Sequence, residues 1–396
     1  MVDNKNNDIL STYPWITFEI NLKDLPYTTW IKLGECLSKC GHISRIPLKP
    51  GTALEMHKIY LAKGVCATTA IEGNTLSEEQ VRQAMEHKLT LPPSREYLKQ
   101  EVDNILQLCN EITKDMSNGK QLLIKPEEIK RFNKTILQNV PCSDHVIPGA
   151  FRTIPVGVGS YKAVNHQDIE ELMIKLCDWL NSDYFKITTT HPILSSIIKA
   201  IAAHLYIEWI HPFGDGNGRV GRILEFAILI NSGVPSPAAH LLSNHYNATK
   251  SQYYLQLDMA GKKKSVIDFI NYAVQGFHDG LVEQLQYIFH QVLDTSWENY
   301  IYEKFKEHKR SERPAKRMRS LVLELSRQHE PVLRDKLTSL SPKLIDLYKG
   351  GSAMMLSRDL NELERLGLIE KTEKGYKAKT EIMLGFLPLQ VRDNPC

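Results

Sequence analysis

The chain has 396 residues, and because single hydrophobic cores rarely grow past about 250–300 residues, its length predicts two or three domains. Hydrophobic residues make up 42% and charged residues 24%, the composition of a soluble globular protein. The net charge of +3 is too small to indicate nucleic-acid binding by the whole chain, and no uncharged apolar run is long enough to cross a membrane.

The N-terminus and the cysteines indicate a compartment. The first residues lack a basic segment followed by an apolar run, so we expect no secretory signal. Seven scattered cysteines, an odd number, favour a reducing environment over a disulfide framework. We therefore expect a cytoplasmic protein that does not insert into a membrane.

Helical patterns dominate the chain before residue 140. Apolar spacing predicts a helix over 52–74, and Gly73 with Asn74 is a common helix end. Two overlapping capping boxes, beginning at Thr75 and Ser77, then open another helix. Taken alone, this pattern indicates a helix corner of a helical core.

Residues 148–160 interrupt these helices. The alternation of Ile154, Val156 and Val158 among glycines predicts a short β-hairpin. From the residues alone, a surface hairpin without chemistry remains an alternative to a binding role. Helical patterns resume beyond it, at 166–181 and 193–209.

The most informative stretch is 211–222, HPFGDGNGRVGR. Helical spacing on both sides predicts a tight loop that leads into the N-terminus of a second helix. A helix start presents unpaired N–H groups and the positive end of the macrodipole, so it is an anion site. Gly216 and Gly218 let the backbone approach a bound oxyanion, because they carry no Cβ.

Charged side chains in this loop supply the other parts of a reaction at phosphorus. Arg219 and Arg222 lie three residues apart, which suits a chain of phosphates. Asp215 is a hard oxygen ligand, and Mg²⁺ carried on phosphates takes one or two carboxylates. His211 has the side chain whose ordinary pKa suits proton removal near neutral pH. Together these residues predict attack of a hydroxyl on a nucleotide phosphorus.

The same loop contains a misleading pattern. Gly216, Gly218 and Gly221 fit G-x-G-x-x-G, the dinucleotide-binding pattern. That interpretation needs a preceding strand and an acidic residue about 20 positions further on. Here the preceding segment has helical spacing and position 236 is a serine, so dinucleotide binding is disfavoured.

The loop resembles the signature of the Fic family, H-P-F-x-[D/E]-G-N-G-R-x-x-R. Every fixed position matches, namely His211, Pro212, Phe213, Asp215, Gly216, Asn217, Gly218, Arg219 and Arg222. The resemblance implies an all-helical core that transfers AMP from ATP to a protein hydroxyl. It implies that His211 is the general base and that Asp215 holds Mg²⁺. The nucleotide-binding residues that it implies in this loop are Gly216, Asn217, Gly218, Arg219, Gly221 and Arg222.

A second segment resembles the inhibitory motif of part of the family, [S/T]-x-x-x-E-[G/N]. It consists of Thr68, Glu72 and Gly73 with the three residues between the first two. Thr68 and Glu72 lie four apart and so share a helix face. The resemblance implies that Glu72 pairs with Arg222 in the place that a γ-phosphate needs, so that the enzyme restrains itself.

The hairpin and a tyrosine pair also resemble parts of the family. The hairpin is similar to the family's flap, x-x-R-x-x-x-V-x-V-G, whose strand edge can pair with an extended target segment. The resemblance places Tyr253 near the adenine, although Gly261 stands where many relatives carry asparagine. The flap residues that it implies to contact the nucleotide are Val156, Gly157, Val158 and Gly159.

The C-terminal part differs in composition, with more charged residues. A charged helical pattern from Trp297 to Pro314 indicates a linker. Beyond it, three helical patterns and a hairpin turn resemble a winged helix-turn-helix. Residues 311–380 hold fifteen lysines and arginines against ten acids, which makes DNA binding a hypothesis. Because the third helix also carries acids, Asp359 among them, a protein-binding or dimerising role is equally open.

We therefore predict an all-α, mainly helical protein: a Fic-type helical bundle with a small β-hairpin flap, plus a C-terminal winged helix-turn-helix. The predicted parts are an N-terminal helical region with the inhibitory helix at 1–115, a catalytic core at 116–292, a linker at 293–314 and a winged-helix domain at 315–396. The predicted activity is self-inhibited transfer of AMP from ATP, with Mg²⁺, to a Ser, Thr or Tyr hydroxyl of a target protein or of the enzyme itself. A homodimer and DNA binding stay open. The alternatives are transfer of another phosphate-containing group and a nucleotide-sensing DNA-binding regulator.

Overall fold

The structure is a computed structural model, and it describes residues 6–158, 161–186, 192–307 and 312–384. The chain divides into two compact units between Leu285 and Gln286. The helices that begin in the first unit are α1 (Asn6–Thr12), α2 (Tyr27–Ile43), α3 (Pro50–Ile71), α4 (Glu78–Met85), α5 (Glu96–Ser117), α6 (Pro126–Ile136), α7 (Ile169–Asn181), α8 (Pro192–Ile210), α9 (Asn217–Asn231), α10 (Leu241–Ala248), α11 (Lys250–Lys263) and α12 (Ile267–Glu307). The predicted all-α class is confirmed.

Two helices form the centre of the first unit. α8 and α9 pack against each other, and most of their side chains are buried on every face. A helix that is apolar all round must be enclosed by other helices, and α5, α6 and α7 supply part of that enclosure. In the described part of the chain, α8 alone has the length and hydropathy of a membrane span, and 72% of its most apolar window is buried inside the fold. That burial is typical of a core helix.

Helix α3 lies against α10 at close range. A Cβ at Gly64 would overlap the ring of His240, the residue before α10, so a glycine is required in this notch. The His240 ring in turn stacks on Phe226 of α9, with centroids 4.5 Å apart. This contact fixes the position of α3 relative to the central pair of helices.

The end of α3 and the start of α4 follow the sequence prediction closely. α3 ends at Ile71, and Gly73 has a φ of 98°, a conformation that favours glycine. Ser77 caps α4: its side chain accepts a hydrogen bond from the Gln80 amide, and the Gln80 side chain accepts one from the Ser77 amide. The capping box predicted at this residue is confirmed.

The predicted hairpin is present but short. Strands β1 (Gly157–Val158) and β2 (Tyr161–Lys162) pair antiparallel. A short hairpin was predicted from alternation at Ile154, Val156 and Val158, but Ile154 is exposed and lies outside β1. A hairpin of only two residue pairs buries little apolar surface, so its stability depends on contacts between its ends and the rest of the fold.

The second unit has its own hydrophobic core. Its elements are the end of α12, α13 (Glu312–Ser326), α14 (Pro342–Tyr348), α15 (Ala353–Arg365), β3 (Ile369–Thr372) and β4 (Gly375–Ala378). Trp297, Ile301 and Phe305 of α12 are buried in that core. The segment predicted as a linker over 293–314 therefore contributes core residues, because its aromatic side chains recur at helical spacing. The winged-helix assignment stays a prediction.

A buried ion pair holds two helices of the second unit together. Asp359 of α15 accepts hydrogen bonds from the Arg317 guanidinium at 2.6 and 2.9 Å and from the Tyr348 hydroxyl at 2.9 Å. Asp359 is buried, so it does not repel phosphates from an exposed helix face as the sequence suggested. Its carboxylate instead neutralises a mostly buried cation of α13.

We expect Asp359→Ala to destabilise the second unit by about 3–5 kcal/mol, because it leaves a guanidinium without its counter-ion. Asp346→Ala, at an exposed position of α14, is the matched control and should change stability by less than about 0.5 kcal/mol. Denaturant-dependent hydrogen exchange of peptides within 312–378 measures both. Equal effects of the two substitutions would contradict a special role for the Arg317 pair.

Candidate active site

The loop between α8 and α9 is closed by its own side chains. Asn217, the first residue of α9, accepts a hydrogen bond from the Phe213 amide and donates one to the Phe213 carbonyl, both at 2.9 Å. Gly216 precedes it with a φ of 82°, which a residue with a Cβ rarely adopts. The Asn217 side chain thus shapes the loop. Both polar atoms of the Asn217 side chain bond to the Phe213 backbone within the loop.

Asn133 of α6 fixes the loop from the side. Its amide nitrogen donates to the Asp215 carbonyl at 2.9 Å, and its amide oxygen accepts from the Gly149 N–H at 2.9 Å. Because Asn133 is buried, these bonds have no competition from water. One side chain therefore joins the loop to the segment that leads into the hairpin.

His211 stands at the start of the loop with its side chain 17% exposed. Burial, with the nearby Arg152 guanidinium, lowers the pKa of His211 to about 4. The imidazole is therefore neutral near pH 7, which is the form that accepts a proton. A Glu208 oxygen lies 3.8 Å from His211 Nδ1, and burial raises the pKa of Glu208 to about 7. Glu208 was not predicted from the sequence, although it lies on α8 only three residues before His211, a spacing that could have indicated it.

Asp215 and Arg219 hold each other at the mouth of the loop. Arg219 lies 3.2 Å from the Asp215 carboxylate and 3.2 Å from that of Glu101 on α5. The Gly216 amide also donates to Asp215 at 2.6 Å. The Asp215 side chain is 44% exposed, so its carboxylate is open to a hydrated cation. One exposed carboxylate beside a phosphate site fits Mg²⁺ that arrives on a nucleotide.

Arg222 is buried between α9 and α3. Its Nε donates to the Thr68 hydroxyl at 2.8 Å, and one amino group donates to the Thr68 carbonyl at 3.0 Å and to Glu72 at 2.6 Å. The ion pair predicted from the sequence is present. Burial alone would raise the pKa of Glu72, but the Arg222 charge and hydrogen bond lower it overall. Glu72 is therefore an anion near neutral pH.

The position of Glu72 relative to the loop is specific. A Cβ at Gly218 would collide with a Glu72 carboxylate oxygen. The carboxylate of Glu72 therefore lies against the first turn of α9, where unpaired N–H groups favour an anion. The sequence predicted both the helix start and the glutamate.

Two side chains of α11 hold the C-terminal end of α3. Lys250 donates to the Ala70 carbonyl at 3.2 Å, and the Tyr254 hydroxyl donates to the Ile71 carbonyl at 3.1 Å. Carbonyls of a last helical turn lack intrahelical partners, so these bonds stabilise the helix end. Neither donor was predicted from the sequence, although a spacing of four residues places both on one face of α11.

Known proteins resemble this part of the chain. Residues 123–229 match the Fic/DOC family. This segment of the chain is therefore similar to a Fic domain. Over 193 residues it is 31% identical to the protein adenylyltransferase fic-1 of Caenorhabditis elegans, a match that covers 49% of this chain and 35% of that protein. It is 28% identical over 203 residues to the protein adenylyltransferase Fic of Drosophila willistoni, with 51% and 38% covered. The chain thus spans little more than a third of the length of these relatives.

Solved structures share the fold. A Fic family protein from Desulfovibrio desulfuricans matches with a TM-score of 0.51 at 22% identity, over 87% of this chain and 92% of that one. Part of Fic-1 from Caenorhabditis elegans matches with a TM-score of 0.53 at 23% identity, over 66% and 73%. At these identities the likeness shows the fold alone, and it confirms the predicted Fic-type helical bundle.

Two residues implied to bind nucleotide are packed inside the first unit. Tyr253 is 1% exposed, and its hydroxyl lies 2.8 Å from His204 Nε2, so its side chain offers no surface to a ligand. Gly221 faces the same ring, since a Cβ there would lie 3.0 Å from His204 Nδ1. Both residues serve the core, and Tyr254 is the exposed member of the tyrosine pair.

The flap residues are described in part. Val156 is half-buried and Gly157 is exposed at the start of β1. Val158 pairs with Tyr161 across the hairpin, and Gly159 lies outside the described residues. Nucleotide contacts from these four residues stay a prediction.

We expect Gly221→Ala to lower the free energy of unfolding by about 1–3 kcal/mol, because the buried His204 ring is fixed by Tyr253 and has no room to move. Gly34→Ala is the matched control, a helical glycine of α2 with open space around it. It should be neutral or raise stability by up to about 1 kcal/mol. Denaturant titration measures both, and a neutral Gly221→Ala would contradict the packing role.

Proposed function

We propose that this chain is a protein adenylyltransferase that transfers AMP from ATP to a side-chain hydroxyl of a protein. The observation that carries the proposal is the loop after α8, which brings a neutral imidazole, an exposed carboxylate and a helix N-terminus together. The names of the relatives support the same reaction. A cytoplasmic location and a target serine, threonine or tyrosine belong to the proposal.

His211 acts as the general base. The target hydroxyl oxygen attacks the α-phosphorus of ATP and forms a phosphodiester bond, while the bond to the β-phosphate oxygen breaks and pyrophosphate leaves. The hydroxyl proton moves to the imidazole of His211, whose low pKa keeps it neutral and ready. A weak base of this kind can return the proton to solvent easily, which completes the turnover.

The phosphates are bound by the first turns of α9. Backbone N–H groups at Asn217 and Gly218 lie in the first turn of α9 without intrahelical acceptors, so they can bind an anion, and Arg219 and Arg222 add fixed positive charge. Asp215 would hold Mg²⁺, which offsets the charge of the phosphates when it is bound. These groups are positioned by the loop hydrogen bonds before any ligand arrives, which lowers the reorganisation needed for the reaction.

The enzyme restrains itself through Glu72. Its carboxylate pairs with Arg222 at 2.6 Å and lies against Gly218, so it competes with a phosphate for the same guanidinium and the same helix start. Thr68, on the same helix, accepts a hydrogen bond from Nε of Arg222, so Glu72 and Thr68 together occupy two of the three guanidinium nitrogens. ATP that binds beside Glu72 lacks these partners, and its α-phosphorus is then not aligned with the attacking hydroxyl.

We expect Glu72→Gly to raise AMP incorporation from labelled ATP about tenfold or more, because it removes a charge-assisted hydrogen bond to Arg222. Glu86→Gly is the matched control: Glu86 follows the last residue of α4, as Glu72 follows that of α3, and its φ of −92° and ψ of 6° are close to the φ of −87° and ψ of 6° of Glu72. It is exposed and pairs with Lys88 on the surface. Equal rates in the Glu72→Gly and parent proteins would exclude self-restraint.

In the Glu72→Gly protein, we expect His211→Ala to reduce AMP transfer by about 10²- to 10⁴-fold, because it removes the base. ATP binding, measured by calorimetry, should persist. His87→Ala is the control, since His87 is exposed and shares a positive φ, 56° against 50° for His211.

Intact-mass spectrometry separates the alternatives: a gain of one AMP supports this proposal, and a gain of one phosphate supports phosphoryl transfer. If neither is gained while a duplex-DNA gel shift weakens steeply with salt, the nucleotide-sensing regulator is favoured.

A further inference from the structure

We propose that Arg152 is a positioning residue for His211: it fixes the histidine in a left-handed backbone conformation and ties the hairpin to the catalytic loop. This inference rests on the proposed adenylyl transfer, because it concerns the base of that reaction. Arg152 lies nine residues before β2 in the chain and far from His211 in sequence, so their contact is a product of the fold.

The backbone of His211 needs outside support. Its φ is 50°, in the region that L-residues other than glycine avoid because the Cβ approaches the backbone carbonyl. Such a conformation persists only where neighbouring groups over-determine it. The strain is useful here, since it turns the chain sharply between α8 and the glycine-rich loop while the imidazole stays at the entrance.

Arg152 supplies that support. Its Nε donates to the His211 carbonyl at 2.8 Å, and its backbone N–H donates to the Pro212 carbonyl at 2.9 Å. Two consecutive carbonyls of the turn are therefore held by one residue. Because Arg152 is 5% exposed, water does not compete for these bonds.

The same guanidinium anchors the hairpin. One amino group donates to the Ile154 carbonyl at 2.8 Å and the other to the Val164 carbonyl at 2.6 Å, on either side of β1 and β2. A short hairpin has little stability of its own, so these bonds set where its base lies. The planar fork of arginine offers donors in several directions, whereas the single nitrogen of lysine cannot reach three carbonyls on different segments at once.

The positive charge of Arg152 also acts on His211. The charged groups that face this imidazole are Glu208 of α8, Glu72 of α3, Asp215 of the loop and Arg152. After burial, the Arg152 cation is the main cause that lowers the pKa of His211, and the carboxylates of Glu72 and Asp215 oppose it. Removal of this cation alone should raise the pKa of the base.

The test uses the Glu72→Gly protein as parent, with Arg152→Gln and Arg152→Lys added to it. We expect Arg152→Gln to reduce kcat about 10- to 100-fold, because the His211 imidazole is then no longer held in line with the target hydroxyl. The KM for ATP should stay within about threefold, since Arg152 does not belong to the phosphate site. Arg131→Gln is the matched control, because Arg131 is a half-exposed arginine of α6 that pairs with Glu111 and Glu128 on the surface. It should leave both constants unchanged.

The pH profile separates positioning from simple structural support. The acidic limb of kcat reports the pKa of the base. Arg152→Gln removes the cation that disfavours the imidazolium, so the limb should move to higher pH. Arg152→Lys keeps a positive charge, so it should lose kcat with a smaller movement of the limb. The imidazole pKa can also be followed by NMR without turnover, using His211→Gln to assign the resonance.

Several outcomes would overturn the inference. A folded Arg152→Gln protein with parental kcat would do so, as would one that raises the KM for ATP alone. Failure of both Arg152 variants to fold, judged by circular dichroism, would assign the residue to stability instead. A parent that transfers no AMP at all would count against the proposed function, and the NMR titration would still test whether Arg152 sets the pKa of His211.

Discussion

The site depends on the burial of one guanidinium. Arg222 lies in the middle of the helical core, where an unpaired cation is strongly unfavourable. A buried cation of this kind is favoured when an anion lies within hydrogen-bond distance. Glu72 meets that need at 2.6 Å from α3, and a phosphate oxygen has the charge and the acceptor geometry to replace it. The proposed self-restraint follows from competition for Arg222, without a separate closed form of the domain.

The two partners in this competition differ in mobility. α3 is fixed by the Gly64 notch against His240 and by Lys250 and Tyr254 at its last carbonyls. Glu72 follows the last residue of α3, and its side chain is 34% exposed, so it can rotate toward solvent while the helix stays in place. Release therefore requires the loss of one ion pair rather than the unfolding of a helix.

The residues themselves predicted local features, whereas the pairing of Glu72 with Arg222, 150 positions apart, was predicted only through the resemblance to a family motif. The loop, the capping box at Ser77 and the Glu72 motif depend on residues within a few positions of one another, and each appears where it was expected. Tyr253 could not be placed from its neighbours. Its hydroxyl bonds to His204, 49 positions earlier, and that partner draws the ring into the core. Gly221 similarly has the spacing of a phosphate-binding glycine, but it faces the same buried histidine.

Replacement of the Glu72 carboxylate by a triphosphate also explains how the His211 imidazole can stay neutral, and so able to accept a proton, both with and without bound nucleotide. In the restrained state, the Glu72 carboxylate raises the pKa of His211, while burial and the Arg152 guanidinium lower it more strongly, to about 4. A triphosphate that displaces Glu72 from Arg222 brings negative charge to the same place, so it acts on the pKa of the His211 imidazole in the same direction as Glu72 does. A Glu208 oxygen lies 3.8 Å from His211 Nδ1 in the core. In the proposed reaction, the glutamate and the nucleotide are alternative anions at Arg222, and only the nucleotide presents a phosphorus to be attacked.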